Sequence, residues 1–310
     1  MPSNFDNRMN GKVVLVTGAT ARIGFHTAAA LAAMGARVFI TGRDESRGQE
    51  AVSAIRRRAG HDALEFVIAD SSWIGGNIFL ADQVARKVDQ LDVLVNNVGG
   101  GPFPNRTETA DGFETTLALN FIGPFALTLR LLPLLLQSGP TRIVNVVSSS
   151  AFHFWKRDPF DDLEARQRYV GMEVHAHAKL LSILFTLSLA RRLKETATVV
   201  NAVNPGMAWT PGTAALTPRA VPQWRFVWPI IRWFQRRASA EKASRGPVFL
   251  ASSSGAIFSG RFFEGETEKP LTERLLDPGL QDRVWQLGES FIAQAGARQG
   301  SGSNECKGSA

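Results

Sequence analysis

The sequence predicts a single α/β domain built on a doubly wound parallel sheet of about seven strands. Three observations carry that prediction. Short apolar runs alternate with helical stretches along nearly the whole chain. The runs are continuously β-branched, as strands covered on both faces require. The first run ends in a glycine-bearing turn that opens into a helix, and ligands of such sheets bind beyond the carboxyl ends of the strands.

Lys12–Thr17 (KVVLVT) is the first strand candidate, followed by an alanine-rich helix over Ile23–Met34. Arg37–Thr41 is the second strand, and a charged helix follows over Glu45–Arg58. Leu64–Ala69, Leu91–Val95, Arg142–Val147 and Thr198–Val203 are the third to sixth. The most apolar stretch, Phe125–Leu136, contains Arg130 and Pro133 and is too short to span a bilayer, so it reads as a buried helix. No linker divides the chain. The domain is expected over residues 1–294, and the Gly/Ser-rich end, 295–310, reads as a disordered tail.

The 310 residues are enough for a substantial core, and 44% hydrophobic with 20% charged is ordinary for a soluble globular protein. The net charge of +7 fits an anionic ligand, but no compact Lys/Arg run of nucleic-acid type occurs, which argues against a nucleic-acid partner. The lone Cys306 excludes an internal disulfide and a cysteine-based zinc site, and no metal is expected. Met1–Asn10 is polar, without the apolar core of a signal peptide, so the expected location is cytoplasmic.

The turn Thr17-Gly18-Ala19-Thr20-Ala21-Arg22-Ile23-Gly24 has the chemistry of a pyrophosphate cradle. Gly18 permits a tight turn and Gly24 close packing of helix on strand, while the free N–H groups of the opening helix face whatever sits above the strand.

Here the residues resemble the short-chain dehydrogenases/reductases, in particular their retinol-dehydrogenase-like branch. Thr17-Gly18-x3-Arg22-x-Gly24 is similar to the family fingerprint Thr-Gly-x3-Gly-x-Gly. Asn96-Asn97-Val98-Gly99 resembles Asn-Asn-Ala-Gly, and Pro205-Gly206-x3-Thr210 resembles the segment that holds the nicotinamide. The resemblance runs from about Lys12 to Ile292. It implies a Rossmann fold, a nicotinamide dinucleotide and, since dimers and tetramers are common in the family, a homo-oligomer. By resemblance the cofactor set is Gly18, Ala21, Arg22, Ile23, Arg43, Asp70, Ser71, Asn97, Val98, Gly99, Lys179, Pro205, Gly206, Met207 and Thr210, with Asp70 on the adenine.

Arg22 replaces the middle glycine of the fingerprint, and Arg43 stands where NAD-preferring enzymes place an acid for the ribose 2′-OH. Two cations at the expected 2′-phosphate favour NADP(H) over NAD(H). Asp44 is read as a cap of the following helix.

The family's catalytic set is Asn, Ser, Tyr and Lys. Asn120 matches the asparagine, Ser148 the serine (with Ser149 and Ser150 leaving the register open by a residue or two) and Lys179 the lysine. The tyrosine is expected one helical turn before the lysine, and that residue is His175. Tyr169, the chain's one tyrosine, matches an upstream tyrosine of the retinol-dehydrogenase type. Ten residues at about 100° each would put it roughly 80° from the Lys179 face, if one straight helix joined them. His175 is a candidate proton donor or base, though shorter than a phenol. Its alternative role is to fill space. His153 and His177 are assigned no role.

The segment 206–240 is the expected substrate lid by resemblance. Its stretch Pro222–Arg237 carries three tryptophans, two phenylalanines and interspersed arginines. It fits a cap over a bulky apolar substrate, a weak peripheral membrane contact, or a packing helix. The expected function is an NADP(H)-dependent oxidoreductase acting on a bulky apolar carbonyl, alcohol or imine. The missing tyrosine keeps open a non-redox cyclase, isomerase or lyase, or a non-catalytic cofactor-binding protein.

Overall fold

The computed structural model describes residues 7–153, 158, 160–206, 239–254 and 258–305. Eight strands form one sheet in the order β3-β2-β1-β4-β5-β6-β7-β8. They are β1 (Val13–Val16), β2 (Arg37–Gly42), β3 (Leu64–Ile68), β4 (Val93–Asn96), β5 (Thr141–Val146), β6 (Thr198–Asn204), β7 (Arg261–Glu264) and β8 (Thr267–Lys269). Every pairing is parallel except β7 with β8. The chain reverses direction across the sheet between β1 and β4, which opens the ligand crevice at their carboxyl ends.

The inner strands are largely apolar because both faces are covered. On one face Leu15, Phe39, Leu94 and Ile143 join a core with α3 (Ile74–Ala85), α5 (Gly123–Gln137) and α7 (Gly171–Arg192). On the other, Val14, Val16, Val38, Ile40, Val93 and Val95 pack on α1 (Arg22–Ala33), α2 (Glu45–Ala59) and the helix Ala240–Ser252. A Cβ on Gly24 would lie 2.5 Å from Asn97 Nδ2 and 2.6 Å from Gly18 O, so glycine is what lets α1 sit this close to the β1 turn.

A short helix, α4 (Thr115–Leu117), runs through a π-helical turn at Ala118–Ile122 into α5. Pro124 explains part of this break. It lies four residues after Asn120 and has no N–H to donate to the Asn120 carbonyl. The Ser182 hydroxyl of α7 donates to that carbonyl instead. The whole run Thr115–Gln137 has 23 residues and by length and composition alone could cross a membrane, but 56% of its apolar window is buried in the fold. Phe121 and Phe125 are fully buried there.

Three expectations change. The eighth strand is a three-residue antiparallel edge whose residues are all exposed, so it leaves no apolar signal. The helix of Lys179 starts at Gly171, not upstream of Tyr169, so no helical angle relates the two residues. The terminal helix runs over Pro278–Glu305, through the expected tail. Phe291 and Ala295, one turn apart, are buried, Phe291 against Phe113, while the Arg298 guanidinium sits 4.8 Å above the Phe113 ring.

Candidate active site

The turn of the nucleotide half is tied to the neighbouring strand ends by short polar side chains. The Thr17 hydroxyl accepts the amides of Asn97 and Val98, each at 3.0 Å, and Asn97 Nδ2 donates to Thr17 O at 2.8 Å. The turn is closed from the β2 side by Thr41, whose hydroxyl accepts Gly18 N–H at 3.1 Å. Gly18 has φ +62° and Arg22 φ +57°. The left-handed backbone at 22 explains why a glycine suits this position, and Arg22 occupies it at a steric cost.

The two helices that open here differ. Asp44 caps α2, accepting Arg47 N–H at 3.0 Å. Helix α1 begins after Ala21 with no side-chain cap and no acidic residue in its first turn. Its orphan amides leave only N–H donors at this helix end, which suits a pyrophosphate, and Arg22 is its first residue. Arg43 is exposed just after β2, beside this turn in the sheet order. Asp70 and Ser71 follow β3. Asp70 Oδ1 accepts Ser72 N–H at 2.9 Å, and Ser71 O accepts from Asn77. Pro205 and Gly206 follow β6, with Gly206 N–H donating to Asn204 Oδ1 at 3.2 Å. Met207, Thr210 and nearly all of the expected lid lie outside the described residues.

The catalytic candidates converge beyond β4 and β5. Lys179 is 6% exposed and donates to Val146 O at 2.9 Å. Burial pulls its ammonium down to about 8. A Cβ on Gly99 would stand 2.8 Å from Asn120 Oδ1 and 3.2 Å from Lys179 Nζ, so Asn120 and Lys179 flank the same bare point of the Asn-Asn-Val-Gly loop. Asn120 Nδ2 is fixed by Gly100 O at 2.8 Å and Thr116 O at 2.7 Å.

His175 precedes Lys179 by one turn of α7. Burial, and then the Lys179 cation, pull its imidazole down to about 3, so it is neutral at physiological pH. Its Nδ1 lies 3.4 Å from Ser150 Oγ, which in turn bonds Ser148 Oγ at 3.0 Å. Ser150 is the residue that sequence reasoning did not single out. Its one signal was its place in the serine run after β5. Tyr169 is turned to another purpose, its hydroxyl donating to Phe103 O at 3.3 Å. Burial raises its phenol above the usual range.

A family model described as short chain dehydrogenase matches residues 12–159. Retinol dehydrogenase 14 of Mus musculus is 33% identical over 295 residues, which cover 92% of this chain and 86% of that protein. Polyprenol dehydrogenase of Mus musculus is 36% identical over 292 residues, covering 92% and 85%. Among solved structures, an uncharacterized protein from Mycobacterium paratuberculosis superposes with TM-score 0.70 at 27% identity, covering 94% of this chain and 96% of that one. A short chain dehydrogenase from Shigella flexneri 2a complexed with NADP gives TM-score 0.64 at 23% identity, covering 84% and 100%. The fold, the order of the three motifs and these likenesses agree, and the chain belongs to the short-chain dehydrogenase family of oxidoreductases, with retinol dehydrogenases among its relatives.

Proposed function

We propose that the protein is an NADP(H)-dependent oxidoreductase that interconverts a bulky apolar alcohol and its carbonyl, or reduces a related imine. The observation that carries this reading is the meeting of Lys179, Asn120 and the Gly99 loop beside an uncapped, arginine-bearing helix terminus. Gly18, Gly24 and the free amides of α1 fit a pyrophosphate, and Arg22 with Arg43 fit a ribose 2′-phosphate. Relatives named for retinol and polyprenol support an apolar alcohol as the substrate class.

The bound dinucleotide supplies or accepts a hydride. The protein's own residues do the rest. The Lys179 ammonium holds the ribose and makes the pocket positive where an alkoxide forms. Ser148 Oγ orients the substrate oxygen. Asn120, fixed by two carbonyls, keeps the π turn open beside the lysine. His175 serves the proton as a neutral imidazole.

The test is NADPH oxidation, followed by absorbance, over a panel of retinal, a polyprenal, aliphatic ketones and cyclic imines. Turnover on at least one apolar member is expected. Tight NADPH binding with no turnover on any member refutes the oxidoreductase and leaves the non-redox catalyst or the binding protein.

A further inference from the structure

His175 is connected to Ser148 through Ser150. Strand β5 ends at Val146, and Ser148 lies in the two-turn link to α6 (Ser150–His153), which packs against α7. Two contacts tie Ser150 to Ser148: its amide donates to Ser148 Oγ at 3.2 Å, and the two hydroxyls lie 3.0 Å apart. On its other side the Ser150 hydroxyl meets His175 Nδ1 at 3.4 Å. That last distance is long, as catalytic contacts often are before substrate is bound. The contact is made to Nδ1, the ring nitrogen nearer the α7 backbone.

The donors and acceptors fit one direction of flow. Ser148 Oγ already accepts the Ser150 amide, so its own proton is free to point at a substrate oxygen. A Ser150 hydroxyl that donates to Ser148 keeps a lone pair for an N–H on His175 Nδ1. A neutral imidazole has one N–H, and this direction of flow requires it on Nδ1.

We propose that Ser150 is a positioning and proton-relay residue that links His175 to Ser148, and so to the substrate oxygen. The relay rests on the oxidoreductase reading above. As the carbonyl carbon takes the hydride from NADPH, its oxygen takes the Ser148 proton. Ser148 takes the proton of Ser150, and Ser150 takes the proton of His175 Nδ1. The imidazole is restored at Nε2 by a proton from the Lys179 ammonium, which recovers one from solvent. His175 thus ends neutral, in its other tautomer, and never has to carry a full positive charge beside Lys179. Alcohol oxidation runs the same steps backwards.

The experiment uses the full-length protein with NADPH and a carbonyl that the unmodified protein turns over. Ser150→Ala is expected to lower kcat about 100-fold or more, as the loss of a general acid path does. KM, NADPH affinity and the thermal midpoint are expected to stay within about twofold or a few degrees. Ser150→Thr, which keeps the hydroxyl, is expected to retain kcat within about threefold. Should Ser150→Ala lose NADPH binding, Ser150→Cys keeps the volume with a weaker donor and is expected to show the same loss of kcat. A Ser150→Ala protein with kcat within twofold of the original overturns the relay while leaving the oxidoreductase intact. A Ser150→Thr protein as slow as Ser150→Ala also overturns it, because volume rather than the hydroxyl would then be at work. No turnover by the unmodified protein on any carbonyl overturns the oxidoreductase reading and the relay with it.

Discussion

Arg22→Gly changes stability and cofactor affinity in opposite directions, and both magnitudes follow from the structure. Arg22 sits at φ +57°, where an L side chain crowds its own backbone. That conformation costs a non-glycine residue about 1–2 kcal/mol. Glycine removes the cost but adds about 0.5–1 kcal/mol of chain entropy lost on folding. The net expectation is a gain of up to about 1.5 kcal/mol in the cofactor-free protein, a rise of up to roughly 2 °C for a chain of this size. Against this, the guanidinium is lost from the uncapped end of α1. A charge-assisted hydrogen bond to a phosphate contributes about 1.5–3 kcal/mol, and each 1.4 kcal/mol is tenfold in affinity. NADPH should therefore bind roughly 10- to 100-fold more weakly, with NADH changed by less than about threefold. Calorimetric titration with both nucleotides and a thermal melt without either give the two readings. Equal weakening of NADPH and NADH refutes a 2′-phosphate contact at Arg22. A melt that falls by several degrees refutes the strain.

Three further outcomes test other parts of the site. Arg43→Asp replaces an exposed cation after β2 with the acid that suits a ribose 2′-OH, so the ratio of NADPH to NADH affinity should fall at least tenfold in the same titrations, with no change in the melt. Gly24→Ala places a methyl group 2.6 Å from Gly18 O and 2.9 Å from Ala19 Cα, backbone atoms that cannot swing aside. Urea unfolding should show a loss of about 1–3 kcal/mol, and NADPH affinity should drop as the turn is pushed off α1. The pH profile of kcat/KM for carbonyl reduction should lack a limb between pH 5 and 7, because His175, lowered to about 3, stays neutral there. It should fall as pH rises through about 8, where the lowered Lys179 ammonium loses its proton and its charge. A limb near 6.5 that His175→Gln removes would show an imidazole that titrates normally.

The sheet was legible because its strands are buried on both faces. Runs such as Val13–Val16 and Val93–Asn96 therefore have no polar alternation to blur them, and the predicted strands differ from the observed ones by a residue or two at their ends. The Asp44 cap was legible for a local reason, a carboxylate three residues before an amide that needs it. What escaped depends on distant partners. Tyr169 could not be placed from the periodicity of α7, because the helix starts at Gly171, where any Cβ would strike Phe103 O at 2.1 Å. The terminal helix past Ala295 looks like a Gly/Ser tail in composition. Phe113 and the Asp111 carbonyl, nearly two hundred residues earlier, supply its partners in Phe291 and Arg298. The π turn is intermediate. Pro124 announces a missing donor for Asn120 O, but only the fold brings the Ser182 hydroxyl to it.

The two halves of the candidate site differ in how local their structure is. The turn of the nucleotide half sits at strand ends and is tied by short side chains there, so the strand pattern locates it, and even an arginine at a glycine position leaves it intact. The proton half is made of side chains from the β5–α6 link and α7, whose reach matters to a fraction of an ångström. His175 is shorter than the phenol that the family resemblance leads one to expect at its place on α7. It also cannot be charged, because the burial that lowers Lys179 lowers His175 as well, and the lysine's cation adds to it. A buried lysine one turn away thus dictates what kind of acid the histidine can be. It must hand on an N–H rather than discharge a cation, and that requires a partner to receive it. In this fold that partner is Ser150, at the start of α6.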